Sequence, residues 1–435
     1  MKHSVWWELT SLPSFTPLQG DKKTDVLIIG GGMAGLLCAH MLKQARVSYI
    51  LVEADRLCSG VTKNTTAKIT AQHGLIYHKL LRRFGMERTR MYLEANLAAI
   101  REFRTLCGTI DCAFEEQTSC VYSQWDAKKT ELEITALDQL GFDAEYLNDL
   151  PIPISVAGAV QFRRQAQFHP LRFAAGLVKG LNIYEHTKVR ELRGMTAITD
   201  HGSVTASKII VATHFPFLNK HGSYFLKLYQ HRSYVLALEG TPPLRGMYVD
   251  ESDAGLSFRP AGDLLLLGGG GHRTGKTGGS WAELSAFALE HYPKAAEVRR
   301  WAAQDCMSLD QIPYVGQYSR CTPNLYVATG FNKWGMTNSM AAAMILRDMV
   351  LERENPWAEA FSPSRSILHP QLAVNALEST VGLLTPSRKR CPHLGCALKW
   401  NPREHSWDCP CHGSRFEENG QLIDNPATDD LPQKH

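Results

Sequence analysis

Thr24-Asp25-Val26-Leu27-Ile28-Ile29-Gly30-Gly31-Gly32-Met33-Ala34-Gly35 decides how this chain is read. Val26 to Ile29 is a continuous apolar run, the pattern of a central parallel strand covered on both faces. Gly30, Gly32 and Gly35 then satisfy G-x-G-x-x-G. In such a turn the first glycine allows the tight reversal, the second lets backbone approach a pyrophosphate, and the third lets the helix pack close to the strand. The spacing predicts a helix over Met33 to Gln44, its N-terminal N–H groups aimed at the phosphates. Val47 to Val52 reads as the next strand, ending at Glu53, 23 residues after Gly30, where a carboxylate can take a ribose hydroxyl. A glycine turn alone also fits a purely structural βαβ unit. Strand, turn, helix, strand and acid in register point instead to a dinucleotide site.

Working outward, 435 residues imply about two or three domains. An apolar content of 44% and a charged content of 21% are those of a soluble globular protein. A net charge of +4 over this length, with no basic stripe interleaved with aromatics, argues against nucleic acid as a partner. The N-terminus lacks the apolar stretch of a signal peptide, and no run reaches the roughly 18 apolar residues of a membrane helix. A cytoplasmic location is therefore expected.

After Glu53, Gly60 to Lys68 is rich in small and hydroxyl residues, suited either to lie against a cofactor or to serve as a plain surface loop. Helices are expected from Ile76 to Phe103, Lys128 to Leu140, Pro170 to Leu181, Trp281 to His291 and about Met336 to Glu352. Strands are expected at Phe114 to Ser123, Tyr184 to Val189, Lys208 to Thr213, Ser233 to Glu239, Leu256 to Arg259, Asp263 to Leu267 and Leu325 to Gly330. Gly270 to Thr277 formally matches the phosphate-binding pattern G-x-x-x-x-G-K-[ST]. That motif needs a helix starting at the lysine, and Gly278-Gly279 make a poor first turn, so the match is read as accidental.

Several segments follow one another in a telling order: Gly30 to Gly35 with Glu53, Phe168 to Leu171, Ile209 to Thr213, Asp310 to Gly316 and Tyr326 to Gly330. The order resembles the FAD-dependent D-amino acid oxidase family, over about residues 20 to 353. The resemblance implies an α/β fold: a Rossmann-like FAD domain assembled from segments about 24–75, 160–215 and 305–353. An antiparallel substrate domain, about 76–159 and 216–304, is inserted in it. It implies FAD held by Gly30, Gly32, Met33, Ala34, Gly35, Glu53, Thr62, Thr65, Thr66, Ala67, Val189 and Thr213. The last turn would complete the site with Gly330, Trp334, Gly335, Met336 and Thr337 beside the flavin ring, where a helix N-terminus favours negative charge. Some members hold FAD through a cysteine. Cys306 lies near the corresponding region but does not match the spacing, so non-covalent FAD is expected.

Seven of the 11 cysteines are scattered to residue 321, whereas four fall between Cys391 and Cys411. Such a cluster in a reducing compartment suits a metal site better than structural disulfides. Cys391-x-His393 and Cys409-x-x-His412 offer two thiolates and two imidazoles. That set fits a tetrahedral zinc site, although C-x-H is tight for zinc. It also resembles the Rieske [2Fe–2S] motif, in which Cys391 and Cys409 would bind one iron and His393 and His412 the other. By the same resemblance Cys396 and Cys411 would form a disulfide between the two loops. Histidine ligation lifts the potential to between about −150 and +300 mV. Only 37 residues separate Arg353 from Cys391. They are read as a linker, 354–385, with an amphipathic helix from Gln371 to Leu384, before a β-rich Rieske domain, 386–435, lacking most of its basal sheet. The cluster loops are therefore expected to pack directly on the FAD module.

Together these readings describe an enzyme. It would take a hydride from an amine or amino-acid-like substrate to FAD, and a cluster would relay single electrons to a carrier protein or quinone-like acceptor. Electrons entering through the cluster, an NAD(P)H-fed reductase and a non-enzymatic electron-transfer protein with a metal-stapled tail are the alternatives; no second glycine fingerprint supports a nicotinamide site. Arg232, Arg259 and Arg273 are candidates to hold a substrate carboxylate, with His73 and Tyr234 as candidate pocket residues.

Overall fold

A computed structural model of the chain describes residues 3–8 and 10–432; the last three residues of the expected 386–435 domain lie outside it. The apolar run lies in a strand, Lys22–Ile29, at the centre of the first sheet. Across that sheet the order is Tyr314–Gln317, Leu325–Thr329, Gly202–Val211, Lys22–Ile29, Tyr49–Val52 and Ile183–Tyr184. The last five are mutually parallel, and the first is antiparallel to its neighbour. Val26 to Ile29 are all buried, as a strand covered on both faces requires. The chain leaves this strand between two neighbours reached by opposite crossovers, so the glycine turn opens at a switch point of the sheet, where ligands bind in doubly wound folds. The expected Tyr184 to Val189 strand is instead two strands, Ile183–Tyr184 and Val189–Arg193. His186 between them has φ +48°, which breaks the extended run.

The helix Met33–Gln44 has the expected bounds and packs on the late helix Gly335–Val350. Gly30 turns the chain at φ +113°. At Gly35 an added Cβ would lie 1.9 Å from the Gly30 carbonyl oxygen, so close helix–strand packing requires a bare α-carbon there.

The inserted domain is a nine-stranded sheet running from Ala296–Ser308 through Leu228–Glu239, Leu264–Arg273, Ser257–Ala261, Met247–Asp250, Glu115–Ser123 and Gly158–Gln167 to Lys68–Ile69. Glu145–Leu147 lies alongside Gly158–Gln167. All its joins are antiparallel except one, Met247–Asp250 on Glu115–Ser123. That parallel join corrects the purely antiparallel expectation. It falls where two distant chain segments meet, so no hairpin dictates direction there. The helix Tyr77–Cys107 is kinked at Gly85, φ +78°.

The glycine-rich segment after Leu264–Arg273 has no helix at Lys276. The next helix, Trp281–His291, begins at the capping box of Ser280 and Glu283. The C-terminal region is a helix, Pro370–Leu384, followed by a four-stranded antiparallel sheet of three-residue strands: Lys399–Asn401, Ser406–Asp408, Arg415–Glu417 and Leu422–Asp424. Among the described residues, no helix is long and apolar enough to cross a membrane.

Gly35→Ala should lower the unfolding free energy in urea by about 1–3 kcal/mol through overpacking. Gly60→Ala, at a position with nothing within 4 Å of an added Cβ, should leave it unchanged.

Candidate functional site: a flavin cleft backed by a cysteine–histidine cluster

One large cleft opens at the C-terminal edge of the parallel strands. Of the residues expected at a flavin, it is lined by Gly32, Met33 and Ala34 from the glycine turn, Thr62, Thr65 and Thr66 from the small-residue loop, and Trp334, Gly335 and Met336 from the last turn. Segments more than 300 residues apart therefore converge on one cavity. At Gly32 an added Cβ would meet nothing closer than Thr62 Oγ1 at 3.4 Å, so the backbone faces open space, as a cradle for a bulky ligand should. The Thr62 hydroxyl accepts from the Met33 N–H at 3.1 Å and ties loop to turn.

Other expected residues take supporting places. Glu53 accepts from the N–H groups of Gly31 at 2.6 Å and Asp55 at 3.0 Å. Burial raises its pKa, and these backbone donors work against the rise. Ala67 is buried at φ +53°, its N–H donating to Thr65 Oγ1 at 2.9 Å. Val189 is buried at the start of its strand. Gly330 turns at φ +72°. Thr337 turns away from the cleft and donates to the Thr70 carbonyl at 2.9 Å. Thr213 offers its carbonyl to Asn425 Nδ2 at 2.7 Å, a contact with the C-terminal region.

His73 and Tyr234 line the cleft, as expected. His73 stacks on Trp334, with ring centroids 5.1 Å apart, and burial pushes its pKa down to about 3, so the ring is neutral. The three candidate arginines are engaged elsewhere. Arg232 pairs with Glu404, Arg273 donates to the carbonyls of Pro410 and Cys411, and Arg259 donates to the Phe168 carbonyl. Instead Lys333, paired with Asp253 at 3.1 Å, brings a cation to the cleft, joined there by His214 and Asp305. Sequence reasoning passed over Lys333 although it lies inside the Gly330 to Thr337 turn. Lys333 enters the cleft because it follows Asn332 in a left-handed stretch, φ +52° at Asn332 and +71° at Lys333, just before the helix. Cys306 also lines the cleft. Burial pushes its thiol up to about 12, and Thr329 Oγ1 lies 3.7 Å from its sulfur.

The C-terminal cysteines and histidines converge behind the cleft. The sulfurs of Cys396, Cys409 and Cys411 lie within 4.8 Å of one another. Hydrogen bonds from the Cys391, Cys396 and Cys411 thiols hold Cys409 well below the ordinary thiol value, toward the thiolate that binds metal. The rings of His393 and His412 lie 4.9 Å apart, and each presents a buried Nδ1 with no partner. His393 Nε2–H donates to Asn219 Oδ1 at 3.0 Å, which fixes the tautomer and leaves the Nδ1 lone pair free for a ligand. Two orphaned imidazole nitrogens beside clustered thiols suit a cluster with mixed sulfur and nitrogen ligation. Cys396 and Cys411, the pair the resemblance implied as a disulfide, are free thiols here, their sulfurs within 4.8 Å of each other and of Cys409.

These loops pack directly on the flavin module. Gln304 Nε2 donates to the Gly413 carbonyl at 2.9 Å, and Gln230 presses on Gly413, where an added Cβ would lie 2.2 Å from Gln230 Cβ. His214 Nε2 donates to Gln230 Oε1 at 3.2 Å. Cleft-lining His214 therefore reaches the cluster loop through one further side chain, Gln230. Gly275, within the mock phosphate loop, gives Pro410 room to approach: an added Cβ there would lie 2.7 Å from its backbone. A buried charge network locks the join. Glu404 takes Arg232, Arg415 and the Tyr234 hydroxyl, while Arg415 also reaches Asp408 and Asp424.

This fold and these two sites define a flavin-dependent oxidoreductase joined to an iron–sulfur module. The chain belongs to the family described as FAD dependent oxidoreductase, DAO, whose model matches residues 25–349, and it carries a Rieske [2Fe-2S] domain matched over residues 366–434. FAD and a Rieske-type [2Fe–2S] cluster are accordingly its cofactors. A putative Rieske 2Fe–2S iron–sulfur protein of Bacillus subtilis, YhfW, is 34% identical over 99% of this chain and 97% of its own length. A cytochrome b6-f complex iron–sulfur subunit of Nostoc punctiforme matches locally: 44% over 45 residues, 10% of this chain and 25% of that one. In three dimensions the chain resembles glycine oxidase from Geobacillus kaustophilus, with a TM-score of 0.66 and 21% identity over 80% of this chain and all of that one. It also resembles L-proline dehydrogenase from P. horikoshii, with 0.67 and 16% over 79% of this chain and 98% of that one.

Burial would raise the Glu404 carboxyl, but Arg232 and Arg415 outweigh it and hold the pKa at about 2, below the ordinary 4.5. A depressed folded pKa contributes stability that is present above the unfolded value and lost as pH falls toward the folded one. Stability should therefore drop between about pH 4.5 and 2, and Glu404→Ala should remove that slope and cost about 3–5 kcal/mol at pH 7, measured by denaturant unfolding across pH.

Proposed function

We propose that this protein oxidises an amine or amino-acid-like substrate and passes the electrons singly, through its Rieske cluster, to a separate one-electron acceptor. The observation that carries this reading is the short path from cleft-lining His214 through Gln230 to the cluster loop at Gly413, which Gln304 also grips. A cluster meant only as a structural staple has no need to back onto the catalytic cleft. Glycine oxidase and L-proline dehydrogenase, which share the fold, are each named for an amino acid as the compound acted on.

FAD supplies the two-electron acceptor for a hydride leaving the carbon next to nitrogen, and the cluster accepts one electron at a time. The chain's own residues orient the substrate. Lys333 is placed to hold a carboxylate in exchange for part of its pairing with Asp253. Neutral His73, stacked on Trp334, forms a wall of the cleft that adds no charge. The Gly335–Val350 helix points its N-terminus into the cleft, where its dipole favours anionic character on a bound ring. Gly30, Gly32, Gly35 and Glu53 would hold the dinucleotide end. Cys391, His393, Cys409 and His412 would hold the cluster, the imidazoles through Nδ1, and the closeness of Cys396 and Cys411 supports a bond between them under oxidising conditions.

Anaerobic titration with amines and amino acids, followed by absorbance and EPR, tests the reading. Flavin bleaching should be followed by the reduced-cluster signal, whereas bleaching by no amine or amino acid would sink the substrate class. Cys409→Ser should abolish the cluster signal while substrate still bleaches the flavin. Lys333→Met should raise KM for a carboxylate-bearing substrate by about tenfold or more, with a smaller effect on kcat, as expected for lost uniform binding.

A further inference from the structure

The helix Pro370–Leu384 sits inside out. At 3.6 residues per turn, its polar side, Asn375, Glu378, Ser379 and Gly382, faces the protein. Asn375 takes Arg273, Glu378 pairs with Lys276 at 2.6 Å, Ser379 Oγ lies 3.4 Å from His412 Nε2, and Gly382 abuts Cys411. The opposite half is apolar and bare: Val374, Leu377, Val381 and Leu384 are 44%, 63%, 51% and 76% exposed. Leu383 carries the patch on toward the cluster loop, where an added Cβ at Gly395 would lie 3.9 Å from Leu383 Cδ2, beside exposed Leu394. Such a patch on a folded chain marks an interaction site.

Its charge surroundings choose the occupant. From Ser366 to Arg403 there are five lysines and arginines and one acid, and that acid, Glu378, is the one turned inward. Three of the cations, Arg388, Lys389 and Arg390, come just after the helix. Lys389 lies over the Trp407 ring and Arg390 donates to the Leu383, Thr385 and Gly395 carbonyls, each keeping its charge, while Arg388 is exposed. A second copy would bring this basic rim against itself. Val374, Leu377, Val381 and Leu384 alone would fit the stripe about 100° wide that a partner helix covers. Exposed Ala373, Ala376 and Leu383, with Thr380 the one polar residue among them, extend the bare face to about half the circumference. An apolar half-cylinder edged with cations is the signature of a helix lying in an anionic lipid surface.

We propose that the Pro370–Leu384 helix seats this protein on the surface of an anionic bilayer, apolar face down, with exposed Arg388 on the lipid headgroups and the rest of the basic run adding positive charge at the edge. The opposite side of the helix touches His412 and Cys411, so the cluster would lie roughly one helix diameter, about 10 Å, from the lipid. A lipid-dissolved one-electron acceptor is then within reach. That last step rests on the relay reading above; the seating itself does not.

Flotation of the full-length protein, purified with its cofactors, tests the seating independently of any turnover. It should float with phosphatidylcholine vesicles containing about 30% phosphatidylglycerol, far less with phosphatidylcholine alone, and less as salt rises. Leu377→Ser/Val381→Ser/Leu384→Ser, at exposed positions, should keep flavin and cluster spectra and lose about tenfold or more of the binding. Arg388→Glu should weaken it several-fold. The proposal is overturned if the wild type stays with the soluble fraction, if the triple variant binds as well, or if neutral vesicles bind equally. It is also overturned if light scattering shows a dimer that the triple variant splits, since a second copy would then cover the face.

Discussion

Everything functional here depends on one pair of strands used on both faces. Leu228–Glu239 and Ala296–Ser308 pair so that His231 lies opposite Asp305 and Arg232 opposite Gln304. Because side chains alternate along a strand, one set faces the cleft while the next turns toward the cluster domain. Asp305 and Ser233 line the cleft, while Arg232 and Gln304 grip Glu404 and Gly413. A slip of one residue would exchange the two sets and disconnect both sites. The many cross-strand pairs and the Trp301 side chain, wholly buried with its indole N–H on the Asn64 carbonyl, hold that register.

The join between the modules is unusually polar for something so buried. Arg232, Glu404, Arg415 and Asp408 are each nearly inaccessible, yet each ion has a partner with hydrogen-bonding geometry. A buried ion pair is weak evidence for stability but strict about geometry, since any displacement leaves a charge unpaired. The network therefore serves alignment, holding the cluster loops at a set distance from the cleft. The same economy explains Gly413 and the glycine-rich segment at Gly275, where bare α-carbons let two loops approach as closely as backbone allows.

Much of this was legible in the residues. The Met33–Gln44 and Trp281–His291 helices and the buried strand before Gly30 follow from spacing and local pattern, whereas the split FAD module and the set Cys391, His393, Cys409 and His412 were implied by the family resemblances. The arginines were not legible. Arg232, Arg259 and Arg273 are equally suitable as carboxylate ligands by type, and only the structure shows each already bound to another part of the chain. The parallel join of Met247–Asp250 with Glu115–Ser123 was hidden for a related reason: no turn connects the two segments, so nothing local records their direction.

Local chemistry thus determined that the chain holds a dinucleotide and a metal site, because a glycine turn with an acid in register and paired C-x-H and C-x-x-H loops each need only neighbours a few residues apart. The order of segments, by resemblance, narrowed these to FAD and a Rieske cluster. Tertiary structure decided what the cofactors are near. Lys333 rather than an arginine enters the cleft, Gln304 and Gln230 stand between flavin and cluster, and the apolar side of Pro370–Leu384 faces outward. An amphipathic pattern states that a helix has two sides, but which side meets the protein depends on what the partner surface offers. Here that surface offers Arg273, Lys276 and the cluster loop, and the polar side wins.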